Sequence, residues 1–267
     1  MLRTVDEFIP LYRGGEGPPV LCLHGFLDTW RTWELVLPEL ERGHEVFAPT
    51  LPGHAGGAEL PDPLDEEALV ALILGLLDDV GLERAHIVGN SLGGYLALRL
   101  AALGRAESVV ALAPAGGWAE GDDSWIDVVE NQRNLQESLE PFVPLADEIT
   151  STVEGRRMVT ELVVESFEHI PAELLAHQLR GAARCAARPM VDLALREGWS
   201  LDAESIDCPV RIVWGTSDRV LPWPAAAARY RTDWLPHADW VLLDGVGHAP
   251  QLDVPVETAE LITSFSY

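Results

Sequence analysis

Residues 86–98 read HIVGNSLGGYLAL, and their reading decides the fold. An apolar run leads in, and an alanine- and leucine-rich run leads out. Between them Gly89, Ser91, Gly93 and Gly94 crowd together, although glycine weakens both strands and helices. A strand that turns abruptly into a helix accounts for the crowding. Glycine leaves room where a side chain would strike the next strand or helix, and the G-x-S-x-G spacing puts Ser91 at the tip of a sharp turn with its oxygen above the strand ends. The bland alternative is a plain strand-to-helix turn in which the serine does nothing.

Working outward, short Val/Leu/Ile-rich runs recur at 20–23, 45–48, 85–88, 108–112, 210–214 and 240–243. They are nearly continuous in apolar residues, as strands buried on both faces must be. Helical patterns lie between most of them: 30–42, then 64–82 with Asp65 as N-cap and Gly81 as stop, then 92–104, 222–235 and 254–265. Strand alternating with helix predicts an α/β domain, a mostly parallel sheet flanked by helices.

Between Ala113 and Cys208 the rhythm breaks. Helical stretches near 124–139, 154–169, 171–187 and 190–198 follow one another without a convincing strand, and they exceed any normal crossover. We read core residues 1–113 and 208–267 with an inserted helical cap at 114–207; ordinary crossover helices are the alternative. AGGW, ending at Trp118, and the region of Pro189 are candidate hinges for a moving cap.

The chain has 267 residues, 48% of them hydrophobic, enough for one large core. Net charge is −25, which disfavours nucleic acid or an anionic membrane as partner. All 18 basic residues are arginine. No apolar run is long enough to span a membrane, and the first residues do not read as a signal peptide. Cys22, Cys185 and Cys208 form no C-x-x-C pair, so neither a disulfide scaffold nor a zinc site is expected. Cys22 reads as a core residue. A cytoplasmic location follows. No metal or organic cofactor is implied.

A reactive serine needs a base and an orienter. His248, in DGVGHAPQLD, follows the last strand, and Asp218, in WGTSDRVLP, follows the one before it. All three positions fall at carboxyl ends of strands, where an open α/β sheet places its ligands. Asp244 is a rival acid, better suited to supporting the turn 245–247. His24 and His54 read as structural or pocket-lining, His44 and His86 as surface residues. An oxyanion hole needs two donors. The backbone N–H groups of Leu92 and of Phe26, in LCLHGF, suit the task, with Gly25 allowing close approach. His24, Gly25, Asn90 and Trp118 are candidate substrate contacts. Six further aromatic residues near the HG turn and in the cap (Trp30, Trp33, Trp125, Phe142, Phe167, Trp199) divide between core and cleft lining.

LCLHGF, APTLPGHAGG, IVGNSLGGYLAL, VRIVWGTSDRVLP and LLDGVGHAPQLDVP together resemble the α/β-hydrolase fold superfamily, from about Pro18 to Phe265. The resemblance implies the chain order Ser91, Asp218, His248 for a catalytic triad. It also implies further antiparallel strands at the start, for which little sequence remains before Pro18. Relatives that open epoxides or remove halide carry aspartate where Ser91 stands here. A serine with a triad implies acyl transfer to water, so the leading expectation is hydrolysis of a carboxylic ester or lactone of an apolar small molecule. GNSLGG and HAPQLD are also similar to meta-cleavage-product hydrolases, which break carbon–carbon bonds in dienoates and often use a cap arginine. Arg180, Arg184 and Arg188 lie at helical spacing, either as a solvated stripe or with one turned inward. A non-catalytic small-molecule receptor on the same scaffold is the alternative of another class. Neither oligomeric state nor substrate is legible.

Overall fold

The computed structural model describes residues 8–266. The sequence reading of the first seven residues lies outside them. Seven strands form one sheet: β1 (Leu11–Gly15), β2 (Pro19–Leu23), β3 (Glu45–Pro49), β4 (Ala85–Asn90), β5 (Ala106–Leu112), β6 (Val210–Gly215) and β7 (Asp239–Leu243). Their spatial order is β1-β3-β2-β4-β5-β6-β7. β1 pairs antiparallel with β3, and every other pairing is parallel. All six predicted strands are present. β1 is a short antiparallel strand near the start of the described residues.

The sheet is buried on both faces, and the period-two rule assigns each side chain to one of two cores. Leu21, Leu23, Phe47 and Ile87 pack on one side, while Val20, Cys22, Val46, Ala48 and Val88 pack on the other. This is why the strands read as continuous apolar runs rather than alternating ones.

The helices are α1 (Leu37–Leu40), α2 (Glu66–Asp78), α3 (Leu92–Ala102), α4 (Ser124–Leu139), α5 (Ala146–Thr150), α6 (Val153–Thr160), α7 (Ala172–Ala183), α8 (Arg188–Glu197), α9 (Pro250–Asp253) and α10 (Pro255–Thr263). Asp65 caps α2, accepting from the Ala68 amide at 2.8 Å. Helices α4 to α8 fill the chain between β5 and β6, where the described residues contain no strand. None of the helices described is long and apolar enough to cross a membrane.

Four expectations need correction. Residues 30–42 form a 3₁₀ turn, Trp30–Trp33, and then the one-turn α1; Pro38 cannot donate into a helix begun upstream. Residues 222–235 form a 3₁₀ turn, Ala225–Ala227, and a π turn, Tyr230–Trp234, where prolines 222 and 224 limit the regular bonding. α6 stops at Thr160 instead of running on toward His169. His44 and His86 are buried, not surface residues. The chain end packs over the strand starts, so that His44 Nε2 lies 3.0 Å from the Ser266 carbonyl and His86 Nδ1 lies 2.9 Å from Ser108 Oγ.

The strand order positions the site. From β2 the chain moves to β3 on one side and then returns to β4 on the other. The loops leaving β2 and β4 therefore diverge, and the crevice between them is where open α/β sheets hold ligands. The HGF turn leaves β2, and Ser91 follows β4.

Candidate active site

Ser91 sits between β4 and α3 with φ 55° and ψ −117°, backbone that a residue with a side chain rarely adopts. The surroundings enforce it. Its amide donates to Leu112 O at 2.9 Å, and its carbonyl accepts from Tyr95 N at 3.0 Å and Ala115 N at 3.1 Å. The glycines leave space for backbone. A Cβ on Gly89 would stand 2.1 Å from Gly93 O, and one on Gly93 would stand 2.1 Å from Leu23 O. The crowding read in the sequence is thus the close passage of β4, α3 and β2.

His248 follows β7 and Asp218 follows β6. His248 Nδ1 lies 2.8 Å from Asp218 Oδ2, with both side chains buried. Asp218 Oδ1 accepts from the amides of Val220 at 2.9 Å and Leu221 at 2.7 Å, so the acid is fixed from two sides. A carboxylate there accepts the Nδ1 proton and leaves Nε2 as the basic nitrogen. Asp244 stays out of the site; it accepts from Thr216 Oγ1, whose oxygen in turn takes the Gly245 amide, and so supports the turn.

Asp253, Gln251 and Asn90 hold the histidine loop, and sequence reading singled out only Asn90 of the three, as a substrate contact. Asp253 accepts from Gly247 N at 2.7 Å, Ser166 N at 2.7 Å and Glu165 N at 3.0 Å. Gln251 donates to Thr32 Oγ1 and to Asn90 Oδ1. Asn90 donates to Leu112 O and His248 O. Asn90 borders the cleft, and its Nδ2 donates to both carbonyls, which ties the His248 loop to the end of β5.

His24 is not among the cleft's lining residues. It is fully buried, its Nδ1 lies 2.7 Å from Gly25 O, and its Nε2 accepts the Leu51 amide at 2.8 Å. Burial, then the neighbouring His54, hold its pKa well below the usual value, so it is a neutral brace for the HG turn. Gly25 approaches closely: a Cβ there would lie 3.3 Å from Ser91 Cβ. Among the described residues, the N–H groups of Phe26 and Leu92 donate to no other group of the chain. Leu92 opens α3, where the first amides have no intrahelical acceptor.

Gly25, Phe26, Ser91, Leu92, Trp118 and His248 border one cleft of about 460 Å³. Its far wall comes from α4, α7, α8 and the stretch after α6, and is mostly apolar. Phe142 and Trp199 also line it. Trp30 and Trp33 lie in the core behind the sheet, and Phe167 in a cluster with Leu174 and Leu252. The only ionisable side chains among the described lining residues are Asp28, Glu161 and His248. Arg180, Arg184 and Arg188 are not among its lining residues. Arg180 pairs with Asp147, Arg184 lies over the Phe8 ring, and Arg188 is 3.6 Å from Asp192. Among the described residues, no cluster of three histidine, cysteine or acidic side chains could hold a metal ion.

A fold of this order, with a serine elbow on the same cleft as a histidine paired to a buried aspartate, fits a hydrolase of the α/β type. The model of the alpha/beta hydrolase family matches residues 20–261, and the chain belongs to that family. An epoxide hydrolase, EphH, of Mycobacterium tuberculosis is 34% identical over 192 residues, covering 71% of this chain and 89% of its own. A 2-hydroxymuconate semialdehyde hydrolase of Pseudomonas sp. is 25% identical, covering 96% and 89%. Among solved structures, carboxylesterase CesB of Bacillus subtilis superposes with a TM-score of 0.70 at 17% identity, over 96% of this chain and 86% of that one. These relatives differ in the bond they break, so the likeness establishes a hydrolase without choosing the bond.

Proposed function

We propose that this chain is a serine hydrolase of carboxylic esters or lactones of apolar small molecules, working through an acyl-enzyme on Ser91. One observation carries the reading: Ser91 stands on a strained elbow in the same cleft as a histidine whose other nitrogen is fixed 2.8 Å from a buried carboxylate. His248 Nε2 takes the Ser91 proton as Oγ attacks the carbonyl. The amides of Phe26 and Leu92 receive the developing oxyanion. His248 then protonates the leaving alcohol, and water, deprotonated by the same nitrogen, releases the acid. Asp218 holds the imidazole and offsets its charge. Residues 114–207 act as a lid that supplies the apolar wall and excludes bulk water.

Chemistry separates this reading from epoxide opening. A serine alkoxide that opened an epoxide would leave an ether, which water attack on a carbonyl cannot release. The arginine-free lining supports esters over dienoate carbon–carbon cleavage, since a dienoate carboxylate would find no cationic side chain among the described lining residues.

The test is stoichiometric labelling by a fluorophosphonate, located by mass spectrometry. The expected result is one adduct on Ser91, absent in Ser91→Ala, together with turnover of p-nitrophenyl butyrate. A folded wild-type protein that takes no label would overturn the catalytic reading in favour of a binding protein on the same scaffold.

A further inference from the structure

Asp28 is the residue in the cleft that the triad and oxyanion donors leave unexplained. It lies two residues beyond Phe26, on the loop leaving β2, and borders the same space as Ser91. A carboxyl on a mostly apolar wall needs a reason, because such a group is costly to enclose without partners. The chain provides some. The Thr29 amide donates to Oδ1 at 2.7 Å, Gln178 Nε2 of α7 reaches the same oxygen at 3.4 Å, and Thr32 bonds it as well. These bonds fall short. Burial still outweighs them and lifts the pKa to about 6. Asp28 thus borders the cleft with Oδ1 held by the Thr29 amide, and Gln178, whose Nε2 lies 3.4 Å from that oxygen, borders the same cleft and sets an amide beside the carboxyl.

We propose that Asp28, with Gln178, is the specificity-determining pair of the cleft: it selects acyl groups bearing a neutral hydroxyl and turns away acyl groups bearing a carboxylate. This rests on the ester-hydrolase reading and deepens it. A substrate hydroxyl donates to Asp28 and accepts from the Gln178 amide. A substrate carboxylate does the opposite. It brings a second negative charge beside Asp28, offers no proton, and meets Glu161 as the other charged lining group, with no arginine to compensate. A site with a polar group set to hydrogen-bond a hydroxyl distinguishes a hydroxylated ligand from its bare analogue far better than an apolar wall distinguishes one methylene.

The experiment compares kcat/KM for p-nitrophenyl esters of butyrate, 2- and 3-hydroxybutyrate, and succinate as the hemiester. The wild type is expected to prefer at least one hydroxybutyrate over butyrate by about tenfold, and butyrate over hemisuccinate by about tenfold. Asp28→Ala brings both ratios to within about threefold of unity. Asp28→Asn keeps an acceptor, so it retains the hydroxyl preference and loses the carboxylate penalty. Glu257→Gln, which removes one exposed charge far from the cleft lining, changes neither ratio. A merely structural role for Asp28 would lower all the esters together and leave the ratios alone. That result overturns the proposal, as does a wild type that accepts hemisuccinate and butyrate equally. The same acyl groups as p-nitroanilides, titrated calorimetrically into Ser91→Ala, read the preference without turnover. Binding in the expected order with no ester cleaved by wild type defeats the hydrolase reading alone. Turnover without the preference defeats the Asp28 proposal alone.

Discussion

At the scale of single residues, the backbone is strained at the residue proposed to react. Ser91 at φ 55° and ψ −117° occupies a region that suits glycine. Ser91→Gly is expected to raise stability by about 1 kcal/mol, the relief of strain being offset in part by glycine's freedom in the unfolded chain. It abolishes labelling at the same time. Urea unfolding checks this, and a destabilised Ser91→Gly would mean that the turn is not strained. Asp28 and His54 give a second prediction, with opposite signs. Asp28 is raised from near 3.8 to about 6, so its contribution is full at low pH and is lost as pH rises through about 6. His54 is lowered by burial from near 6.5 to about 4, so its contribution is full above about 6.5 and is lost as pH falls toward 4. The two nearly cancel between pH 4 and 6.5. In Asp28→Asn the cancellation ends, and stability climbs more steeply with pH, by at most about 3 kcal/mol over the window. Unfolding curves at pH 4.5, 5.5 and 6.5 with the same slope as wild type would rule this out. That Ser91, Asp218 and His248 each follow a strand was legible, because strands buried on both faces mark their own ends, and on that placement rest their proposed roles as nucleophile, orienter and base. Asp28 was not, because its role depends on Gln178 of α7, remote in sequence and brought near only by the fold.

At the scale of elements, the strands were legible and several helices were not, for one physical reason. A strand buried on both faces leaves a continuous apolar signature, and β4 is buried at every position. Residues 30–42 and 222–235 carry helical spacing, but Pro38, Pro222 and Pro224 withhold the amides a helix would use, and tertiary packing takes over. The struts of the histidine loop were equally hidden. Asp253 reads in sequence as one more acid beside proline, yet it gathers three amides from the loop before His248 and from the stretch after α6. Those bonds couple the stretch after α6 to the loop that carries His248. Asp253→Ala leaves three amides short of an acceptor and is expected to cost about 3 kcal/mol. It should also slow fluorophosphonate labelling of Ser91 at least tenfold, because His248 loses its support. Thermal unfolding and labelling rates are measured on one preparation. A lower melting temperature with an unchanged labelling rate would confine Asp253 to stability.

At the scale of the whole molecule, 43 acids against 18 arginines surround the cleft with a negative field. Such a field depletes anions near the surface and acts over distances that salt screens, with a Debye length of about 10 Å at 0.1 M. The charges of Asp28 and Glu161 act at contact range inside a cleft of mostly apolar walls, where salt penetrates poorly. The two contributions to anion rejection are therefore separable. Raising sodium chloride from about 10 mM to 300 mM should increase kcat/KM for the hemisuccinate ester severalfold and leave butyrate nearly unchanged. Asp28→Ala removes one charge of an excess of 25 and so keeps that salt response, even as its salt-independent discrimination falls. If the salt response vanished with Asp28, the rejection would be local alone. Parallel salt curves for the charged and neutral esters would show that the surface field plays no part in substrate choice.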